Sequence, residues 1–148
     1  MPRPKPPPMA PASPDDIEQQ FYEALQSGDI EALMAVWADD DDIFCVHPGG
    51  PRVVGPVAIR AAFERIFSNG SVNAQPEKVR CVQGPACAVH SVLEHVRVMT
   101  EEGPQSAWVI ATNVYMQTAL GWRLTAHHAS PGSQREMQEL IDAGSTIH

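Results

Sequence analysis

A chain of 148 residues with a 43% hydrophobic share is long enough for one domain with a real core. A formal charge of -8, with no run of Lys and Arg, excludes a nucleic-acid binder, which needs a basic stripe to displace counterions, and equally disfavours an anionic membrane surface. No apolar stretch approaches the roughly 20 residues of a membrane-spanning helix, and Cys45, Cys81 and Cys87 lack metal-type spacing and read as small hydrophobes in a reducing compartment, so the expected location is cytoplasmic.

Residues 1–13 open with Arg3 and Lys5 and then prolines instead of an apolar signal region; they are expected to form a Pro-rich disordered or extended arm. Ser13-Pro14-Asp15-Asp16 carries a cap, a first-turn proline and two acids that oppose the helix dipole. Ile17, Phe21 and Leu25 continue this first helix to the Ser27-Gly28 stop. Asp29 caps a second helix with Ile30, Leu33, Met34 and Trp37 on its apolar side, so the two form a helical hairpin. Asp39 to Asp42 reads as a solvated turn, because calcium loops need alternate spacing and a glycine. Ile43 to His47 is a short strand closed by Pro48-Gly49-Gly50-Pro51. Gly55-Pro56 opens a third helix with Ile59, Ala62, Phe63, Ile66 and Phe67 buried.

Beyond Asn69-Gly70 the pattern changes to strands, at Val79 to Val82, Ala86 to Met99, Ala107 to Thr118 and Trp122 to Ser130. They are rich in β-branched residues and separated by glycine turns, which predicts an antiparallel meander. The strand from Ala107 is largely apolar on both faces, with Trp108, Ile110, Thr112, Val114 and Met116 on one and Val109, Ala111, Asn113 and Tyr115 on the other. Helices can cover one face; a second copy of the chain is the expected cover for the other, giving a homodimer. The domain is expected to span 14–132, with a terminal helix and tail over 133–148. The fold class is α+β, with helices packed on a curved sheet around a pocket.

Gly28-Asp29-Ile30-Glu31-Ala32, Ala38-Asp39-Asp40, His47-Pro48-Gly49, Thr112-Asn113-Val114-Tyr115 and Gly121-Trp122-Arg123-Leu124, in that order, resemble the nuclear transport factor 2-like superfamily. The nearest likeness is to its SnoaL-like branch. The resemblance implies the cone-shaped, cystatin-like fold and a dimer through the outer face of the sheet. The superfamily's ketosteroid isomerases use an Asp base, a Tyr donor on the first helix and a protonated Asp donor on a late strand. The matching positions here are His47, Phe21, with Tyr22 one step off, and Asn113. Loss of an oxyanion donor typically costs about 10²–10³ in rate, so that particular isomerisation is disfavoured.

The candidate catalytic residues are His47, Asn113 and His128. His47 could carry a proton or merely cap its turn. Asn113 could hold a carbonyl oxygen or bond a neighbouring loop. Strand alternation from Trp122 and Leu124 puts His128 and Ser130 inward and His127 outward; His128 lines the pocket or is a satisfied core histidine. Trp37, Phe21, Phe63, Tyr115 and Ser130 are the expected ligand contacts. On the strand from Ala86, His90 and Glu94 share a face, but periodicity leaves open whether it looks inward.

Two functions stand open. One is an isomerase, cyclase or dehydratase acting without a metal or other cofactor on a small apolar or amphipathic carbonyl compound. The other is a non-catalytic ligand-binding or oligomerisation domain, the role this fold plays in the association domain of calcium/calmodulin-dependent protein kinase II.

Overall fold

The computed structural model describes residues 13–133. The expected Pro-rich arm over 1–13 and terminal helix over 133–148 therefore lie outside the described residues, apart from Ser13 and Ser133. Ser13 Oγ accepts from the Asp16 amide at 3.2 Å and starts helix α1, Pro14–Ser27. Gly28 ends it at φ 66°, a left-handed conformation that its missing Cβ allows. Asp29 then caps α2, Ile30–Ala35, by accepting from the Ala32 amide at 3.0 Å. The helix stops before Trp37, which forms an isolated parallel bridge to Leu124. Asp39 to Asp42 is an exposed turn, in which the Asp42 amide donates to Asp40 at 2.8 Å.

Strand β1, Phe44–Val46, returns antiparallel to β2, Arg52–Val54, and leads to α3, Pro56–Phe67. The meander follows as β3, Asn73–Gln83; β4, Cys87–Thr100; β5, Gly103–Thr118; and β6, Gly121–Pro131. β3 begins well before the expected Val79. Pro76 and the polar residues around it mask the strand in sequence, and they are tolerated because β3 is an edge. The sheet order is β2-β1-β6-β5-β4-β3, antiparallel except where β1 meets β6.

The helices bury Ile17, Phe21, Tyr22, Leu25, Leu33, Ile59 and Phe63 against the inner sheet face, which supplies Ala88, Val92, Tyr115 and Leu124. Two bulges decide which side chains share that face. Between Val114 and Tyr115 the β5–β6 register slips, so that Thr125 has no partner. Its hydroxyl instead donates to the Val114 carbonyl at 3.0 Å. Between Glu77 and Arg80 the β3–β4 register slips likewise, with Lys78 at φ 46°. An extra residue on one strand moves everything beyond it to the opposite face.

Candidate functional site

Between the helices and the sheet lies a cavity of about 260 Å³. Its wall is mostly apolar, with Phe21 and Leu25 from α1, Phe63 and Ile66 from α3, and Val96 and Val109 from β4 and β5. Three titratable side chains interrupt that wall: His47 at the end of β1, Glu94 on β4 and His127 on β6. The His47 ring packs edge-on against Phe63 with centroids 4.9 Å apart and lies 6.4 Å from His127. Phe21 sits 5.1 Å from His127.

Burial in this apolar setting raises the Glu94 carboxyl to about 7, because the charged form loses its hydration. The hydrogen bond from Tyr22 pulls the other way, and the nearby Glu18 charge adds to the rise. Desolvation also pushes His127 down to about 3, helped by His47 and His128, and lowers His47. At neutral pH both cavity imidazoles are therefore uncharged, while Glu94 is poised between its two forms.

Behind Glu94 runs a buried polar seam. Tyr22 Oη donates to Glu94 Oε2 at 2.7 Å, and Asn113 Nδ2 donates to Tyr22 Oη at 3.2 Å. Asn113 Nδ2 also reaches Glu18 Oε2 at 3.5 Å, which in turn accepts from Tyr115 Oη at 2.7 Å and bonds His90 Nδ1 at 2.8 Å. Asn113 Oδ1 meets His127 Nδ1 at 2.5 Å. Because the Asn113 amide nitrogen is committed to Glu18 and Tyr22, its oxygen faces His127. The proton of neutral His127 thus sits on Nδ1 and leaves Nε2 as the lone-pair nitrogen.

The structure brings His47, Phe21 and Phe63 to the cavity wall. Asn113 and Tyr115 point to the same inner face but lie in the seam, each fully buried. Three expectations are corrected. His128 and Ser130 are exposed on the outer face, and His127 takes the inward place, because the Thr125 bulge inverts the alternation from Ala126 onward. Trp37 is buried in the core outside the cavity lining, its Nε1 without a hydrogen-bond partner among the described residues.

Glu94, His127, Tyr22, Glu18 and His90 did not emerge as site residues from sequence. A usable signal existed for two of them. The tight Glu101-Glu102 turn pairs Thr100 with Gly103, and counting back sets His90 opposite Asn113. Cross-strand partners share a face, so an inward Asn113 implies an inward His90 and Glu94. Nothing comparable announces the Thr125 bulge.

A family model for the SnoaL-like domain matches residues 15–134, and the chain belongs to that family. Among solved structures it is similar to a candidate calcium/calmodulin-dependent protein kinase type II association domain from Thiobacillus denitrificans. The identity is 33% over 82% of this chain and 96% of that one, with a TM-score of 0.74. It is also similar to a candidate dehydratase of the nuclear transport factor 2-like family from Streptomyces avermitilis, at 29% identity over 79% and 91% of the two chains, TM-score 0.71. A nuclear transport factor 2-like protein with a cystatin-like fold from Novosphingobium aromaticivorans, 18% identical over 84% of each chain with a TM-score of 0.68, shares the fold. No curated protein matches the chain.

Proposed function

We propose that this SnoaL-like domain protein is a small-molecule pocket protein that moves a proton on an apolar carbonyl compound, with Glu94 as the proton carrier. The observation behind this reading is one carboxyl in the wall of an apolar cavity, raised by burial to about 7. A group so tuned is part ionised at neutral pH and can both take a proton from a carbon beside a carbonyl and return it. Tyr22 holds the carboxyl in place from behind. His127, held by Asn113, offers its Nε2 lone pair to a ligand hydroxyl, so an amphipathic molecule with one polar end suits the cavity. Phe21 and Phe63 would flank it and His47 would stand at its polar end. The reaction class is an isomerisation, cyclisation or dehydration needing no cofactor. The similarity to a protein named as a candidate dehydratase is consistent with it.

The test is proton exchange. In deuterated water a small cyclic ketone should gain deuterium beside its carbonyl faster with the protein than without it. The rate should rise as pH passes through about 7 and Glu94 ionises, and Glu94→Gln should abolish it. Acceleration that survives Glu94→Gln removes Glu94 from the role. Saturable binding of the ketone with no exchange points to a binding protein.

The outer sheet face favours a second reading, assembly, which is compatible with the first. Trp108, Ile110 and Val114 are only half-buried there, and Trp108 stacks on His95 with centroids 4.4 Å apart. We propose a homodimer through this face, in line with the similarity to a kinase association domain. Ile110→Glu should yield monomer in light scattering; an unchanged dimer would rule this interface out.

A further inference from the structure

On the inner sheet face, where β3, β4 and the start of α1 meet, a second cluster takes no part in the proposed proton transfer. One ligand atom each from Asp15, Cys81 and His90 lies within 4.8 Å of the others. The residues are far apart in sequence, which is why cysteine spacing gives no sign of the cluster. Cys81 and His90 are cross-strand partners because the bulge between Glu77 and Arg80 shifts the register, so both side chains leave the same face.

His90 is 1% exposed and fixed by Glu18, which meets its Nδ1 at 2.8 Å. Tyr115 and Asn113 donate to the same Glu18 oxygen, which therefore acts as an acceptor towards His90 as well. Nδ1 thus donates to Glu18, and Nε2 is the ring nitrogen left to face a metal ion. Nε2 stands 3.9 Å from Asp15 Oδ1, too far for a hydrogen bond and somewhat longer than the roughly 3.3–3.5 Å between two such donors on a tetrahedral zinc ion, so Asp15 must close in by a small rotation. A carboxylate that fixes the far nitrogen of an imidazole is the usual support of a metal-bound histidine. Asp15 and Cys81 are exposed, so small side-chain rotations can bring them to ligand distances of about 2.0–2.3 Å.

We propose that Asp15, Cys81 and His90 bind a zinc ion, with Glu18 orienting His90 and water completing the shell. A mixed sulfur, nitrogen and oxygen set suits zinc, whereas calcium and magnesium take oxygen ligands. The thiol loses its proton to solvent as the zinc–sulfur bond forms. The ion would pin the start of α1 to β3 and β4 and raise stability by mass action.

The experiment uses the untagged full-length chain, freed of metal with a chelator and titrated with cobalt(II). We expect a single equivalent to bind with a thiolate-to-cobalt charge-transfer band in the near ultraviolet, bleached by added zinc. Zinc alone should raise the melting temperature. Cys81→Ser, at an exposed position, should abolish the band and the zinc-induced shift, and Asp15→Asn should weaken cobalt binding about tenfold or more. Cys87→Ser, the other exposed cysteine, should leave all three readings unchanged. No band in the parent protein, a band that survives Cys81→Ser, or one lost in Cys87→Ser would overturn the site. Glu94→Gln should leave cobalt binding intact, so the zinc site and the proton-transfer reading stand or fall separately.

Discussion

Glu18 and Glu94 are the same side chain on facing elements, each 6% exposed, and their neighbourhoods give them opposite characters. Glu18 lies in the seam, where His90, Tyr115 and Asn113 converge on one of its oxygens. Among the described residues Glu94 receives one hydrogen bond, from Tyr22, and otherwise faces the apolar cavity. Burial alone therefore does not make a reactive carboxylate. The number of donors supplied in place of water separates a structural acid from one poised to exchange a proton.

The largest effect should come from emptying the seam. Glu18→Ala strands three buried donors, and we expect it to lower the unfolding free energy by about 3–5 kcal/mol, read from the urea midpoint at unchanged slope. A loss below about 1 kcal/mol would break the comparison, since the seam would then not depend on its acceptor.

Next in size is a pH effect. Glu94 rises from an ordinary 4.5 to about 7 on folding. The native state thus holds a proton that the unfolded chain releases. The stability this contributes is full below 4.5 and is lost as pH climbs to about 7, on the order of 3 kcal/mol in all. His127 falls from 6.5 to about 3, so its contribution is full above 6.5 and is lost as pH drops towards 3. Between 4.5 and 6.5 the two slopes oppose each other, and together they give a plateau there. In Glu94→Gln the descending limb should vanish, with stability climbing to pH 6.5 and then staying level. Urea midpoints across pH 4 to 8 check this; a variant that keeps the parent's descending limb would show that Glu94 is not the group responsible.

Asn113 joins the two regions, bonding His127 on the cavity side and Glu18 and Tyr22 in the seam. Asn113→Leu should cost about 1–3 kcal/mol in urea unfolding, because it leaves the His127 Nδ1 proton without an acceptor. A neutral result would mean that the regions are energetically separate. The smallest effect should be Tyr22→Phe, about 1 kcal/mol or less. Its informative reading is the Glu94 titration. Tyr22 favours the ionised carboxylate, so its loss should move the descending limb to higher pH; a downward move would contradict the stated balance of causes.

Sequence by itself determined most of the elements and the family, though not the strand at Arg52–Val54 or the start of β3. Ser13, Pro14, Asp29 and Gly55-Pro56 mark helix starts through local backbone chemistry, and β-branched runs between glycine turns mark the strands. These signals act over a few residues, so they survive without knowledge of the rest of the chain. It also placed His47, Phe21 and Phe63 near a pocket, and it set Asn113 and Tyr115 on one strand face. What it could not decide was which of His127 and His128 enters the molecule. Side chains alternate with a period of two, so one unpaired residue at Thr125 inverts every assignment after it, and that bulge exists only in the pairing of β5 with β6. The roles of the two glutamates were likewise decided by tertiary structure. The donors around Glu18 and the apolar wall around Glu94 come from segments distant in the chain, and desolvation is a property of the assembled surroundings, not of any local run of residues.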